Sequence, residues 1–260
     1  MRTAAVLLHA TLSLAACARV PPKTSLDAEP VRLLNAFFGL DDAIPASASG
    51  ICREAPGSDG MPVTFSHRLS VQPDPQAFQV TTRSGATKTP RCASTRPAIA
   101  RSENHTVLLL GDLGSVDDPP VTVTVVGDLT FETGASAKGA SVAVTPLEAG
   151  PTLVLALAYA PGAIDSDCPA ATKQVVLVVW AGGVRAAPGI DATGRRVAYR
   201  VTTSAGAITP FALGDVDDQD NYEHLCLDDA TPAERIELGP GVLIDPRDDV
   251  NPATEVSVTR

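Results

Sequence analysis

Apolar and polar residues alternate with a period of two along much of this chain. Val121-Thr122-Val123-Thr124-Val125 is the clearest stretch, with valines on one face and threonines on the other. Similar short runs, bounded by Gly, Pro, Asp or Ser, recur from residue 31 onward. They predict strands at Leu33–Phe38, Pro62–Ser66, Ala77–Thr82, Thr106–Gly111, Val121–Val126, Leu129–Glu132 and Ser141–Thr145. A second set follows at Leu153–Tyr159, Gln174–Trp180, Ala198–Thr203, Ile208–Leu213, Arg235–Leu238, Val242–Ile244 and Glu255–Thr259. Val175–Trp180 is apolar throughout, as expected of a strand covered on both faces or lying at a module junction. Trp180, the only tryptophan, is therefore expected in the core rather than on a sugar-stacking surface.

The two sets echo each other. Phe78-Gln79-Val80-Thr81-Thr82, then Gly85-Ala86 and Pro90, is matched by Tyr199-Arg200-Val201-Thr202-Thr203, Gly206-Ala207 and Pro210, with an offset of 121 from Phe78 to Tyr199. Pro30 and Pro151 each open an apolar run, and Ala43-Ile44 is echoed by Ala163-Ile164. Ser141-Val142-Ala143-Val144-Thr145 parallels Glu255-Val256-Ser257-Val258-Thr259. The shared order predicts an internal duplication. Seven short strands in about 110 residues fit an immunoglobulin-like sandwich. The expected fold is all-β: two tandem immunoglobulin-like β-sandwich modules, over 31–148 and 149–260. The Phe-x-Val-Thr-x-x-x-Gly strand, preceded by Asp74-Pro75, resembles the repeats of bacterial immunoglobulin-like surface proteins. That resemblance covers about a fifth of each module and brings no catalytic residues with it.

Composition agrees with this reading. The chain is 44% hydrophobic and 19% charged, which is globular, and its 20 Gly and 22 Pro punctuate it into short segments. Its net charge is −10 and no Lys/Arg cluster is visible, so neither nucleic acid nor a polybasic hold on anionic lipid is supported.

The first residues carry an address. Arg2 precedes an apolar stretch from Ala4 to Leu14, too short to span a bilayer and of signal-peptide proportions. Leu14-Ala15-Ala16-Cys17 follows and resembles the lipobox of bacterial lipoproteins. The resemblance implies a signal peptide over 1–16, cleavage before Cys17, and acylation of Cys17. Ala18 stands where an aspartate usually retains such proteins at the inner membrane, which favours the outer membrane. Residues 17–30 contain Pro21, Pro22 and Pro30 and read as a semi-rigid tether.

With Cys17 acylated, four cysteines remain, an even count in an exported chain. Four cysteines allow three pairings. The duplication selects Cys52–Cys92 and Cys168–Cys226, one bond in each module.

Chemistry is harder to find. G-x-S-x-G and H-E-x-x-H motifs are absent, and no glycine-rich loop leads from a strand into a helix. No catalytic residue is assigned. His67, His105 and His224 read as surface or turn residues. The second module carries 16 acidic and 8 basic residues over 150–260, against 12 and 9 over 30–149, so the negative field is concentrated there. Its densest run is Asp215-Val216-Asp217-Asp218-Gln219-Asp220-Asn221. Four carboxylates in six residues either splay into solvent or gather a cation. In the second case Asp215, Asp217, Asp218, Asp220 and Asn221 are the candidate Ca²⁺ ligands, although the spacing is not that of an EF-hand. The functional expectation is a non-catalytic, lipid-anchored envelope protein for binding, adhesion or spacing. Its partners would be the membrane, through the anchor, and a protein or envelope polymer. The alternative is an envelope enzyme using carboxylates from the inter-module cleft.

Overall fold

A computed structural model describes residues 30–214 and 220–259. The first module contains β1 (Leu33–Phe37), β2 (Asp59–Phe65), β3 (Phe78–Thr82), β4 (Thr87–Lys88), β5 (Cys92–Ser94), β6 (Thr106–Gly111), β7 (Pro120–Val125) and β8 (Ser141–Thr145). The second begins with β9 (Leu153–Tyr159), β10 (Gln174–Trp180), β11 (Arg185–Ala186), helix α1 (Ala192–Ala198), β12 (Tyr199–Thr203) and β13 (Gly206–Ile208). It ends with β14 (Ala212–Gly214), β15 (Tyr222–Leu227), β16 (Ala233–Leu238), β17 (Leu243–Ile244) and β18 (Thr254–Thr259).

The first sheet runs β4-β3-β7-β8-β1-β2-β6-β5 and the second β13-β12-β16-β18-β9-β10-β15-β14. The two orders correspond strand for strand, with β11 and β17 paired apart in the second module. Each sheet curls so that one half covers the other. In immunoglobulin lettering the halves are A-B-E-D and G-F-C-C′, joined through a parallel A–G pair. That pair is β1–β8 here, with Ala36 opposite Val144, and β9–β18, with Ala156 opposite Val258. The fold is therefore two immunoglobulin-like sandwiches.

The shared register fixes which residues are counterparts. Val63 lies between Ala36 and Val107, and Val178 lies between Ala156 and Glu223. Val63 thus matches Val178, and Val107 matches Glu223. Phe65 opposes Leu33 across a bulge as Trp180 opposes Leu153. A second bulge recurs between Thr81 and Thr82 and between Thr202 and Thr203. Bulges re-aim a strand, and their recurrence at matched positions is structural evidence for the duplication.

Each core is built on matched aromatics. Phe65 and Phe78 have ring centroids 6.4 Å apart, and Trp180 and Tyr199 6.5 Å apart. Trp180 is fully buried, as its apolar strand predicts.

Several expectations need correction. Leu129–Glu132 forms no strand and contributes only a bridge between Phe131 and Leu69. Ile208–Leu213 is split: Thr209–Phe211 separates two short strands that pair with different neighbours. Tyr222–Leu227, which directly follows the acidic run and is not among the expected strands, is an interior strand of its sheet with every residue buried. The three histidines are not at the surface: His67, His105 and His224 are all buried.

Candidate functional site

The modules pack through the outer faces of their A-B-E-D halves. On β10, Val176, Val178 and Trp180 point into the second module's own core. Leu177 and Val179 point the other way and join Leu155, Leu157, Tyr222 and Ala98 of the first module in a separate cluster. This double covering explains the unbroken apolar run at 175–180.

Polar groups pin the seam. The Tyr222 hydroxyl accepts the backbone N–H groups of His105 (3.1 Å) and Thr106 (2.8 Å). The Asn221 amide donates to Thr106 Oγ1 and to the Trp180 carbonyl, both at 2.9 Å. His224 Nε2 lies 3.8 Å from Glu103 Oε1, with both side chains buried. Burial lowers the pKa of His105 to about 3, with the Phe65 carbonyl opposing and Arg68 and His67 adding to the shift. Gly182 lies flat against Phe37, where a Cβ would stand 2.8 Å from the ring.

Beside the seam opens a cleft of about 280 Å³. Phe37, Leu40, Pro62 and Leu108 form its apolar floor, and Thr106, Asp220 and Asn221 its polar inner end. One lip is the A–B loop of the first module, including Ile44, Ala48 and Ile51. The other is Thr95–Arg96–Pro97, which follows β5. Asp220 is buried, and its Oδ1 accepts the Tyr222 N–H at 2.6 Å. A mostly apolar concavity with a few convergent polar atoms is the usual form of a ligand site.

Gly39 is one of the residues lining this cleft. The N–H groups of Gly39 and Leu40 both donate to the Gly60 carbonyl, at 3.1 and 3.2 Å, a bulge that sets two residues against Gly60 where Tyr159 alone opposes the matching Val175. Tyr159 packs into the seam cluster beside Arg68 and Glu132. Glycine and leucine thus border the cleft of the first module, where the second module turns a tyrosine into the seam.

The second core also departs from the first in its polarity. Glu223, fully buried, is ion-paired with Arg195 and accepts the Tyr199 hydroxyl. Burial raises the Glu223 pKa, and Arg195 and Tyr199 oppose that shift. The first module has Val107 and Phe78 at the corresponding places. The network is closed on itself, which suits a packing role better than ligand capture.

The sequence-predicted site residues are distributed as follows. Cys17, Asp215, Asp217 and Asp218 lie outside the described residues. Asp220 and Asn221 are described and both are buried rather than splayed into solvent: Asn221 bonds across the seam to Thr106, and Asp220 accepts the nearby Tyr222 N–H. Cys168 and Cys226 are disulfide-bonded, with Cα atoms 5.6 Å apart. Cys52 and Cys92 are neighbouring thiols in hydrogen-bonding contact, not joined in this structure. The register also revises the reasoning behind their pairing. Cys92 faces Leu110 across β5–β6, whereas Cys226 faces Ala212 across β14–β15. Cys92 and Cys226 are therefore not counterparts but occupy opposite members of one cross-strand pair.

A carboxylate group that sequence reasoning did not assemble is Asp41, Asp42 and Asp59, with ligand atoms within 4.8 Å of one another. Burial raises the Asp59 pKa, while backbone N–H groups of Asp42, Leu113 and Gly114 oppose the shift. Those bonds clamp the loop between β6 and β7. Gln174, the counterpart of Asp59, makes the same clamp in the second module by accepting the Ala233 N–H and donating to the Thr231 carbonyl. The role is architectural.

No protein-family model matches the chain, and no curated protein matches it.

Proposed function

We propose that this chain is a lipid-anchored cell-envelope lipoprotein that binds a ligand without chemically transforming it. The lipobox at Leu14–Cys17 supports acylation at Cys17, and the proline-bearing segment up to Pro30 supports a tether holding the modules off the outer membrane. The inter-module cleft is the binding site in this reading. The observation that carries it is the make-up of the cleft, in which the apolar Phe37, Leu40, Pro62 and Leu108 meet the polar Thr106, Asp220 and Asn221. The apolar floor suits an apolar or aromatic group of an envelope polymer or protein. The Asp220 carboxylate at the inner end favours a hydrogen-bond donor on that group. A carboxylate-based enzyme is less well supported, because paired acid–base chemistry needs two such groups and Asp220 is the one carboxylate among the described lining residues.

Metabolic labelling with a radioactive fatty acid tests the anchor. The wild-type chain should take up label and Cys17→Ser should not; label retained on the serine variant contradicts the lipoprotein reading.

A further inference from the structure

We propose that Cys52 and Cys92 form a redox site whose oxidation to a disulfide locks the two lips of the inter-module cleft together. The inference rests on the reading of that cleft as a binding site. Each thiol is attached to one lip. Cys52 directly follows Ile51, and its N–H donates to the Ala48 carbonyl at 3.1 Å, so it moves with the A–B loop. Cys92 opens β5, whose far end carries Thr95–Pro97. The Arg91 N–H donates to Leu110 at 2.8 Å and the Arg96 N–H to Ser94 Oγ at 3.0 Å, so that segment is held at both ends. The thiols pack in one small cluster with Ile44, Ala48, Leu108 and Leu110, directly behind the cleft wall.

The second module shows what such a bond does. Cys168 lies in the loop between β9 and β10, the counterpart of the A–B loop, and is bonded to Cys226 on β15. That loop is covalently fixed to its sheet. In the first module the same kind of loop borders an open cleft, and its cysteine has a partner within reach but no bond.

The reaction is thiol–disulfide exchange with a small or protein disulfide. The Cys52 thiol loses its proton, its sulfur attacks one sulfur of the incoming disulfide, and one half leaves as a thiol. The Cys92 sulfur, after losing its proton, then attacks Cys52 and releases the second half. Two protein thiols are oxidised to one disulfide and the incoming disulfide is reduced to two thiols. Burial, with the neighbouring Cys52 adding to the shift, raises the Cys92 pKa to about 12.

The test uses the full mature chain equilibrated with oxidised or reduced glutathione, followed by peptide mapping and hydrogen exchange. Oxidation should join Cys52 to Cys92, with Cys168–Cys226 intact in both arms. Exchange over 44–51 and 95–97 should slow by about fivefold or more on oxidation, as expected when a local opening is cross-linked. The Cys52→Ser variant, checked for native circular dichroism, should show no redox response in these segments. Thiols that stay unjoined in oxidised glutathione overturn the proposal, as does a bond that leaves exchange unchanged. The neutral apolar fluorophore N-phenyl-1-naphthylamine is titrated into both forms in parallel. Exchange that slows while neither form binds the fluorophore sinks the binding-site reading and leaves the lock standing.

Discussion

Tyr222 and Thr106 hold the same position in their respective modules, and they touch. Thr106 pairs with Thr64, and Tyr222 with Val179, at matched steps of the two ladders. The Thr106 N–H donates to the Tyr222 hydroxyl at 2.8 Å. A residue meets its own counterpart beside a rotation axis, and the reciprocal His105–Tyr222 and Asn221–Thr106 contacts make that axis a two-fold, so the duplicated modules associate as the halves of an isologous dimer do. Their neighbours obey the same relation, since His105 and Asn221 flank this contact on either side.

The first prediction concerns that axis. Tyr222→Phe keeps the ring but strips the acceptor from the buried Thr106 N–H; the His105 N–H keeps its bond to the Glu103 carbonyl at 2.7 Å. It should lower the unfolding free energy by about 1–3 kcal/mol, the cost of leaving a buried donor unsatisfied. Urea denaturation followed by Trp180 fluorescence measures this, and a change within error means the hydroxyl does not hold the seam.

Glu223 gives a prediction with opposite outcomes for single and combined variants. Glu223→Val places the first module's residue there but strands the Arg195 guanidinium, which is 9% exposed in its side chain. The loss should be about 3–5 kcal/mol. Adding Arg195→Met and Tyr199→Phe removes the stranded groups, and the triple variant should return to within about 1 kcal/mol of the wild type or exceed it. Equal damage in both would show that the network is not the reason for the loss.

His105 sets a pH dependence. The folded chain keeps it neutral down to about pH 3, whereas an unfolded chain protonates it near 6.5. Because the folded pKa is depressed, the contribution is intact above pH 6.5. It declines as pH falls toward 3, by at most about 1.4 kcal/mol per unit. Stability measured between pH 7.5 and 4 should fall less steeply in His105→Gln than in the wild type. Parallel curves would place the acid sensitivity elsewhere.

Much of this architecture is legible in the sequence, because Val/Thr alternation and the Phe78/Tyr199 echo report the strands and the duplication directly. What stays hidden does so for identifiable reasons. Strand β15 reads as polar because its core face carries Glu223, satisfied by Arg195, and its seam face carries His224 beside Glu103. Neither partner is near it in sequence. His105 and His224 read as surface residues because each meets a partner from the other module, Tyr222 and Glu103 respectively. Strands β4 and β5 are two and three residues long, below what a periodic pattern can report. The cysteine register is invisible because Cys92 and Cys226 follow similar segments yet sit on opposite strands of a pair. The cleft is assembled from loops and strand ends of both modules, and no local motif marks it.

The account centres on the cleft, and fluorescence titration with N-phenyl-1-naphthylamine tests it most directly. Wild type should bind one equivalent saturably. Gly39→Tyr, which adds a ring to the cleft lining, should weaken binding at least about tenfold, since a filled apolar pocket forfeits the buried contact area. Its backbone needs no left-handed conformation, and the nearest atoms to a new Cβ belong to the Phe37 ring at 3.3 Å. Val121→Tyr, at an exposed position near the start of β7, should bind as wild type does. Equal binding by wild type and Gly39→Tyr, or none by either, would contradict the assignment of the inter-module cleft as the binding site.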